Sequence, residues 1–280
     1  MITHKNKPVL ITGCSSGIGL GIALGLAGRE YRVFATVRNE QDIDTLKKEG
    51  LESLRLDLSS SMSVDRALTD ILERTNGELY AVINNGAYGQ HGAVEDLSRD
   101  VLRAQFETNV FGTHELTSKI IPVFRNQGGG RIIQISSILG LICLPHRGAY
   151  NASKYALEAL SDTMRLELYH TNIFVSLIEP GPIESRFRAN AFKRFQANID
   201  PECSAHRAAY LQLIRRLNSD ENVRFTLSPD AVLNKIIHAL ESPNPRPRYL
   251  VTVPAHVLAR LKHWLPDRLM DRLIRRFNGT

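Results

Sequence analysis

The chain has little from which to build a disulfide framework or a metal centre. Its three cysteines, Cys14, Cys143 and Cys203, are odd in number and widely spaced. That excludes the paired bridges of a small secreted scaffold and fits a reducing cytoplasm. None of the nine histidines stands in an HxxxH or cysteine-paired spacing, so no metal site is expected. No apolar run reaches the roughly 18 residues that a membrane span needs. The opening MITHKNKPVLITG passes straight into a strand-like segment, without the pattern of a signal peptide. Net charge is small outside the tail: of the net +6, residues 255–280 carry +4. The nearly neutral body gives no support to nucleic-acid binding.

What the 280 residues do contain is apolar substance, 43% of the chain, and a rhythm. Short apolar runs at 8–12, 31–37, 53–58, 79–85, 130–137, 173–181 and 247–253 read as strands. Amphipathic stretches lie between them at 17–29, from about 42, and at 64–74, 99–125 and 149–170. Near-continuous apolar strands alternating with helices predict an α/β fold. It is a single doubly wound Rossmann-type domain over 1–280, with a seven-stranded parallel sheet and helices on both faces. There is no linker, repeat or low-complexity segment. Residues 183–226 break the rhythm with a long polar, helical stretch that reads as a substrate lid.

Three motifs carry chemistry. TGCSSGIG (12–19) follows the first strand and opens the first helix. Its glycines Gly13, Gly17 and Gly19 permit a tight turn and close approach of a pyrophosphate to the free N–H groups of a helix start. FATVRN ends the second strand with Arg38 and no carboxylate. A carboxylate would bond the two ribose hydroxyls of NAD, whereas a guanidinium offers a donor fork to a 2′-phosphate. NADP(H) is therefore the expected cofactor. In GAYNASKYALEALSD (148–162), Tyr150 and Lys154 stand four residues apart, on one helix face. An ammonium there is expected to lower the phenol's pKa and fit it for proton transfer.

In this order the motifs resemble the short-chain dehydrogenase/reductase family over roughly residues 8–253. The spacing GxxxGxG, rather than GxGxxG, is part of that resemblance. The likeness is strongest to the branch with 17β-hydroxysteroid and retinol dehydrogenases and bacterial NADP-dependent aldehyde reductases. It implies a catalytic set of Asn109, Ser137, Tyr150 and Lys154. Ser137 would donate to the carbonyl oxygen, Tyr150 would act as general acid and base, and Lys154 would also bond the nicotinamide ribose. Asn109 would hold a water leading to solvent. The resemblance further implies cofactor contacts at Gly13, Ser15, Ser16, Gly17, Ile18 and Gly19, with Ser16 assisting Arg38 at the 2′-phosphate. Asp57 and Leu58 would meet the adenine, while Asn85, Gly86 and Ala87 would line the adenosine. Pro180, Gly181, Ile183 and Ser185 would lodge the nicotinamide, beside Asn109, Tyr150 and Lys154. Where the family has Asn-Asn-Ala-Gly, this chain reads Asn84, Asn85, Gly86, Ala87, an exchange expected to move a position free to take positive φ.

The implied activity is NADPH-dependent reduction of hydrophobic aldehydes or ketones, or oxidation of the matching alcohols. Alternatives are a steroid- or retinoid-specific dehydrogenase and an NADP-binding redox sensor or scaffold without turnover. A homodimer or homotetramer is a family-based expectation. The tail (255–280) sets Leu258, Leu261, Leu265, Leu269, Leu273 and Phe277 against arginines, with Pro266 dividing it. It is expected to dock on the domain, or else to touch anionic lipid weakly.

Overall fold

The computed structural model describes residues 5–218 and 224–278. The seven expected strands are β1 (Pro8–Ile11), β2 (Arg32–Val37), β3 (Glu52–Arg55), β4 (Ala81–Asn84), β5 (Gly130–Ile135), β6 (Ile173–Glu179) and β7 (Arg248–Leu250). They form one sheet in the order β3-β2-β1-β4-β5-β6-β7, with every pairing parallel.

Helices cover both faces, which is why the strands show no polar alternation. On one face Val9 and Ile11 of β1 pack with α1 (Gly17–Ala27) and α9 (Asp230–Glu241), through Ile22, Leu26, Val232 and Ile236. On the other, Leu10, Val82 and Ile132 pack with α3 (Ser61–Arg74) and α5 (Thr113–Asn126), through Val64, Ile71, Ile120 and Phe124. Helix α2 (Gln41–Lys48) joins β2 to β3, and α6 (Gly148–Glu167) joins β5 to β6. Strand order reverses between β1 and β4, the crevice where open α/β sheets bind ligands.

The single helix expected over 99–125 is two, α4 (Arg99–Phe106) and α5, joined by a π-helical turn at Glu107–Gly112. Packing sets the break. Gly112 lies so close to the Leu58 carbonyl that any Cβ there would collide with it. Helix α9 was not anticipated. It is a short apolar helix whose Pro229 and Leu233 pack against Gly21 and Gly25 of α1.

The 183–226 excursion is closed at its base. Ile183 pairs with Leu227, and Leu227 N–H donates to the Pro182 carbonyl at 3.2 Å. It contains α7 (Phe187–Asn198) and α8 (Arg207–Asn218), while residues 219–223 lie outside the described residues. Despite its polar sequence it has a small core of Phe195, Ile199 and Tyr210 around Ala93.

The tail forms α10 (Val253–Trp264) and α11 (Asp267–Asn278), divided at Pro266. Leu258, Leu261, Leu265 and Leu273 pack, with buried Met270, on Ile138, Leu139 and Ile142. The tail thus docks on the domain. Leu269, expected on the same face, is 45% exposed, and the side chain of Phe277 lies outside the described residues.

Candidate active site

The glycine loop sits at the switch point. Gly13 has φ 72° and Gly17 φ 57°, the left-handed region that glycine enters without strain. Asn85, just past β4, fixes the loop: its Nδ2 donates to the carbonyls of Thr12 (2.9 Å) and Gly13 (3.0 Å). Gly19 leaves no room for a side chain against the Gly13 carbonyl. Ser16 is the N-cap of α1, yet its hydroxyl makes no capping bond, and the first turn holds no acidic residue. Ser15 is exposed beside it, and Ile18 is half-buried. A helix start with free N–H groups, a free hydroxyl and no opposing carboxylate suits a phosphate.

The Gly86–Ala87 exchange turns out differently from the expectation. Neither residue has positive φ, so no special position is displaced. Gly86 N–H donates to Thr12 Oγ1 at 2.8 Å, and a Cβ there would press on Leu58 Cδ1 and Thr12 Oγ1. A Cβ at 86 would need only a small shift of these two side chains, and neither 86 nor 87 demands glycine's conformational freedom.

Arg38 is exposed at the end of β2, with no ion pair among the described residues. Arg55, a second cation that sequence reasoning missed, stands beside it: its Nε donates to the Arg38 carbonyl at 3.2 Å. The register of β2 with β3, which pairs Val37 with Arg55, brings the two together. The Asp57 carboxylate accepts from Ser59 N–H (3.0 Å) and Ser59 Oγ (2.7 Å). The N-cap of α3 is Ser60, whose hydroxyl accepts from Ser63 N–H. Leu58 is buried between Gly86 and Gly112.

On the other side of the crevice, Ser137 and Tyr150 are each 9% exposed, and the serine hydroxyl faces the phenol closely enough to favour its ionised form. Ser136 points the opposite way, toward Glu158. Phe187 of α7 covers the phenol, with ring centroids 5.2 Å apart. Lys154 Nζ lies 5.8 Å from the Tyr150 ring centroid and donates to the Ile135 carbonyl at 2.7 Å.

Here the electrostatics correct the sequence reading. Burial outweighs neighbouring charge and pushes the Tyr150 phenol up to about 12; Ser137 and then Arg147, rather than Lys154, act against it. The same burial pulls the Lys154 ammonium down to about 8, opposed by Glu158. Both groups are driven toward their neutral forms, as dehydration requires.

Asn109 lies in the π-turn with its amide fully engaged. Nδ2 donates to the Tyr88 carbonyl (2.9 Å) and Ser153 Oγ (3.1 Å), and Oδ1 accepts from Tyr88 N–H (3.1 Å). Its side chain clamps the loop after β4 to α6.

The loop after β6 completes the crevice. The Pro180 carbonyl accepts from Ile138 N–H at 2.9 Å, and Gly181 is pressed against Thr252. Ser185 faces Gly17 across the cleft, its Cβ within 2.7 Å of where a glycine side chain would begin. The loop carrying Ile183 and Ser185 thereby closes on the phosphate end of α1. Thus the structure gathers the predicted loop, crevice and tyrosine residues along the C-terminal ends of β1, β2, β4, β5 and β6.

The short chain dehydrogenase family model matches residues 7–195. The chain belongs to the short-chain dehydrogenase/reductase family. Over 268 residues it is 42% identical to an oxidoreductase of Escherichia coli named YbbO, covering 96% of this chain and 94% of that protein. It is 32% identical to human retinol dehydrogenase 8, covering 91% and 85%. It is 29% identical to an NADPH-dependent 3-dehydrocapnine reductase of Ornithobacterium rhinotracheale, covering 94% of each. A short-chain dehydrogenase/reductase from Burkholderia phymatum, solved with NAD, superposes with a TM-score of 0.78 at 25% identity, covering 94% and 95%. No described helix is long and apolar enough to cross a membrane.

Proposed function

We propose that this oxidoreductase is an NADPH-dependent reductase of apolar aldehydes or ketones, with Tyr150 as the proton donor. One observation carries the reading: the Ser137 and Tyr150 hydroxyls face each other in a dehydrated site beside a free helix start. NADPH would supply the hydride. The glycine loop would hold its pyrophosphate, and Arg38, with Ser16 and Arg55, its 2′-phosphate. Pro180, Ile183 and Ser185 would border its nicotinamide.

The chain's own residues account for the rest. Ser137 donates to the carbonyl oxygen as negative charge develops there. A phenol raised to about 12 keeps its proton at neutral pH and is still acidic enough to protonate an alkoxide. Ser137 and Arg147 favour the phenolate that remains, and Lys154 would hold the nicotinamide ribose. Apolar Leu139, Ile142, Leu144 and Phe187 wall the pocket and exclude water. The names of two relatives, a retinol dehydrogenase and an NADPH-dependent reductase, agree with this class.

The test is loss of reduced-nicotinamide absorbance with medium-chain, aromatic, retinoid and steroid carbonyls. NADPH is expected to outperform NADH, and Arg38→Asp is expected to reverse that preference by at least 10-fold. That corresponds to the loss of one charge-assisted phosphate contact, about 1.5–3 kcal/mol. Equal use of the two cofactors by both proteins would refute the assignment of Arg38.

A further inference from the structure

Arg147 stands three residues before Tyr150, where the loop after β5 turns into α6. Its backbone pairs with Gly92, and Gly92 N–H donates to the His146 carbonyl at 3.0 Å. This pairing brings His91, on the loop after β4, alongside Arg147. His91 is 4% exposed, and neither ring nitrogen has a hydrogen-bond partner.

Among the described residues no carboxylate pairs with Arg147. The charged and polar groups that act on it are Arg216, the Tyr150 phenol and Arg188. Burial and the two arginines bring its pKa down to about 10. Burial, Arg147, His146 and Arg216 together push His91 down to about 3. His91 is therefore a neutral imidazole with one N–H to give. Arg188 belongs to the helix that covers Tyr150, and its Nη2 donates to the Arg216 carbonyl. A half-buried guanidinium with no carboxylate partner among the described residues and a buried imidazole with no hydrogen-bond partner are both costly. An oxyanion would offset both costs, since it attracts the cation and accepts from the imidazole. The neighbouring wall of Leu139, Ile142, Leu144 and Phe187 is apolar.

We propose that Arg147 and His91 form an oxyanion subsite beside the catalytic tyrosine, so that the substrate is an amphiphilic ketone bearing a carboxylate, sulfonate or phosphate a few bonds from its carbonyl. Its apolar chain would lie along the wall under the tail helices. The inference rests on the reductase reading of Tyr150, and it makes Arg147 a specificity-determining residue.

The test uses the full chain with NADPH and two ketones of equal length, 3-oxododecanoate and its methyl ester. The wild type is expected to prefer the acid. Arg147→Gln is expected to lower the acid-to-ester ratio of kcat/KM roughly 10- to 100-fold, and Arg147→Lys to restore part of it. If Arg147 serves only to tune Tyr150, both substrates slow together and the ratio stays fixed, which overturns the proposal. A second arm titrates dodecanoate and dodecanol calorimetrically into the protein with NADP⁺. Dodecanoate is expected to bind more weakly to Arg147→Gln and to His91→Phe, with dodecanol unchanged between proteins. Equal dodecanoate binding by wild type and variants also overturns it. If neither ketone is reduced but dodecanoate binding still depends on Arg147, the subsite stands and the reductase reading fails.

Discussion

Tyr150 and Lys154 are displaced by one cause, removal from water, and in opposite directions: the phenol up to about 12 and the ammonium down to about 8. A base whose pKa is lowered carries its charge below that pKa and loses it above. The Lys154 ammonium is thus present at pH 7 and lost as pH rises through about 8. The kcat/KM for carbonyl reduction is expected to be level from pH 6 to the mid-7s and to fall above about 8. In Lys154→Arg, whose guanidinium keeps its charge, that limb should disappear even as the rate drops. A wild-type profile level to pH 10 would remove Lys154's charge from the mechanism. The residue types at this site were legible from sequence, because a phenol, an ammonium, a serine and a glycine loop fell at recognisable spacings. The sign of the phenol's shift was not. It depends on how much water the fold excludes around Tyr150, which burial by Ser137, Phe187 and the surrounding apolar cluster sets.

At the scale of elements, one side chain staples three of them together. Arg248 of β7 donates to Glu179 of β6 (3.0 Å), and to Glu158 (2.9 Å) and Asp162 (2.7 Å) of α6. Burial and the nearby Glu158 push Glu179 up to about 8, so the fold holds it protonated at neutral pH. A carboxyl whose pKa is raised favours the folded state at low pH, and that contribution is lost as pH rises toward about 8. Arg248→Met is expected to cost about 2–3 kcal/mol by urea unfolding at pH 7. That is less than the roughly 3–5 kcal/mol of a fully buried pair, because 34% of the arginine side chain meets water. The loss should be larger at pH 9 than at pH 6, since the variant must then ionise Glu179 without a counter-cation. A loss that does not vary with pH would contradict the role given to Glu179. The strands and most helices were legible because each follows from an apolar period. The π-turn at 107–112 was not, because the close approach of Gly112 to Leu58 sets it and leaves no apolar period. Helix α9 carries such a period in Val232, Ile236, Ala239 and Leu240, but it follows the excursion that breaks the strand–helix rhythm.

At the scale of the whole molecule, the sheet order places two half-sites on either side of one crevice. The glycine loop follows β1, and Tyr150 lies on the helix after β5. Asn85 and Asn109 clamp the segments after β4 to both, which keeps the halves in fixed relation. Helix α7 and the tail helices pack on the same side of the crevice, where Phe187 and the tail's apolar residues cluster with Tyr150. The central claim is that this crevice moves a proton from Tyr150 while binding the cofactor independently of it. The most direct measurement compares wild type with Tyr150→Phe for two quantities, the Kd for NADPH and the kcat with a reducible ketone. The expected result is a Kd within about 3-fold of wild type and a kcat reduced by at least 10²-fold, the size of a lost general acid. Turnover by Tyr150→Phe at a rate near wild type would contradict the role of the phenol and refute the mechanism.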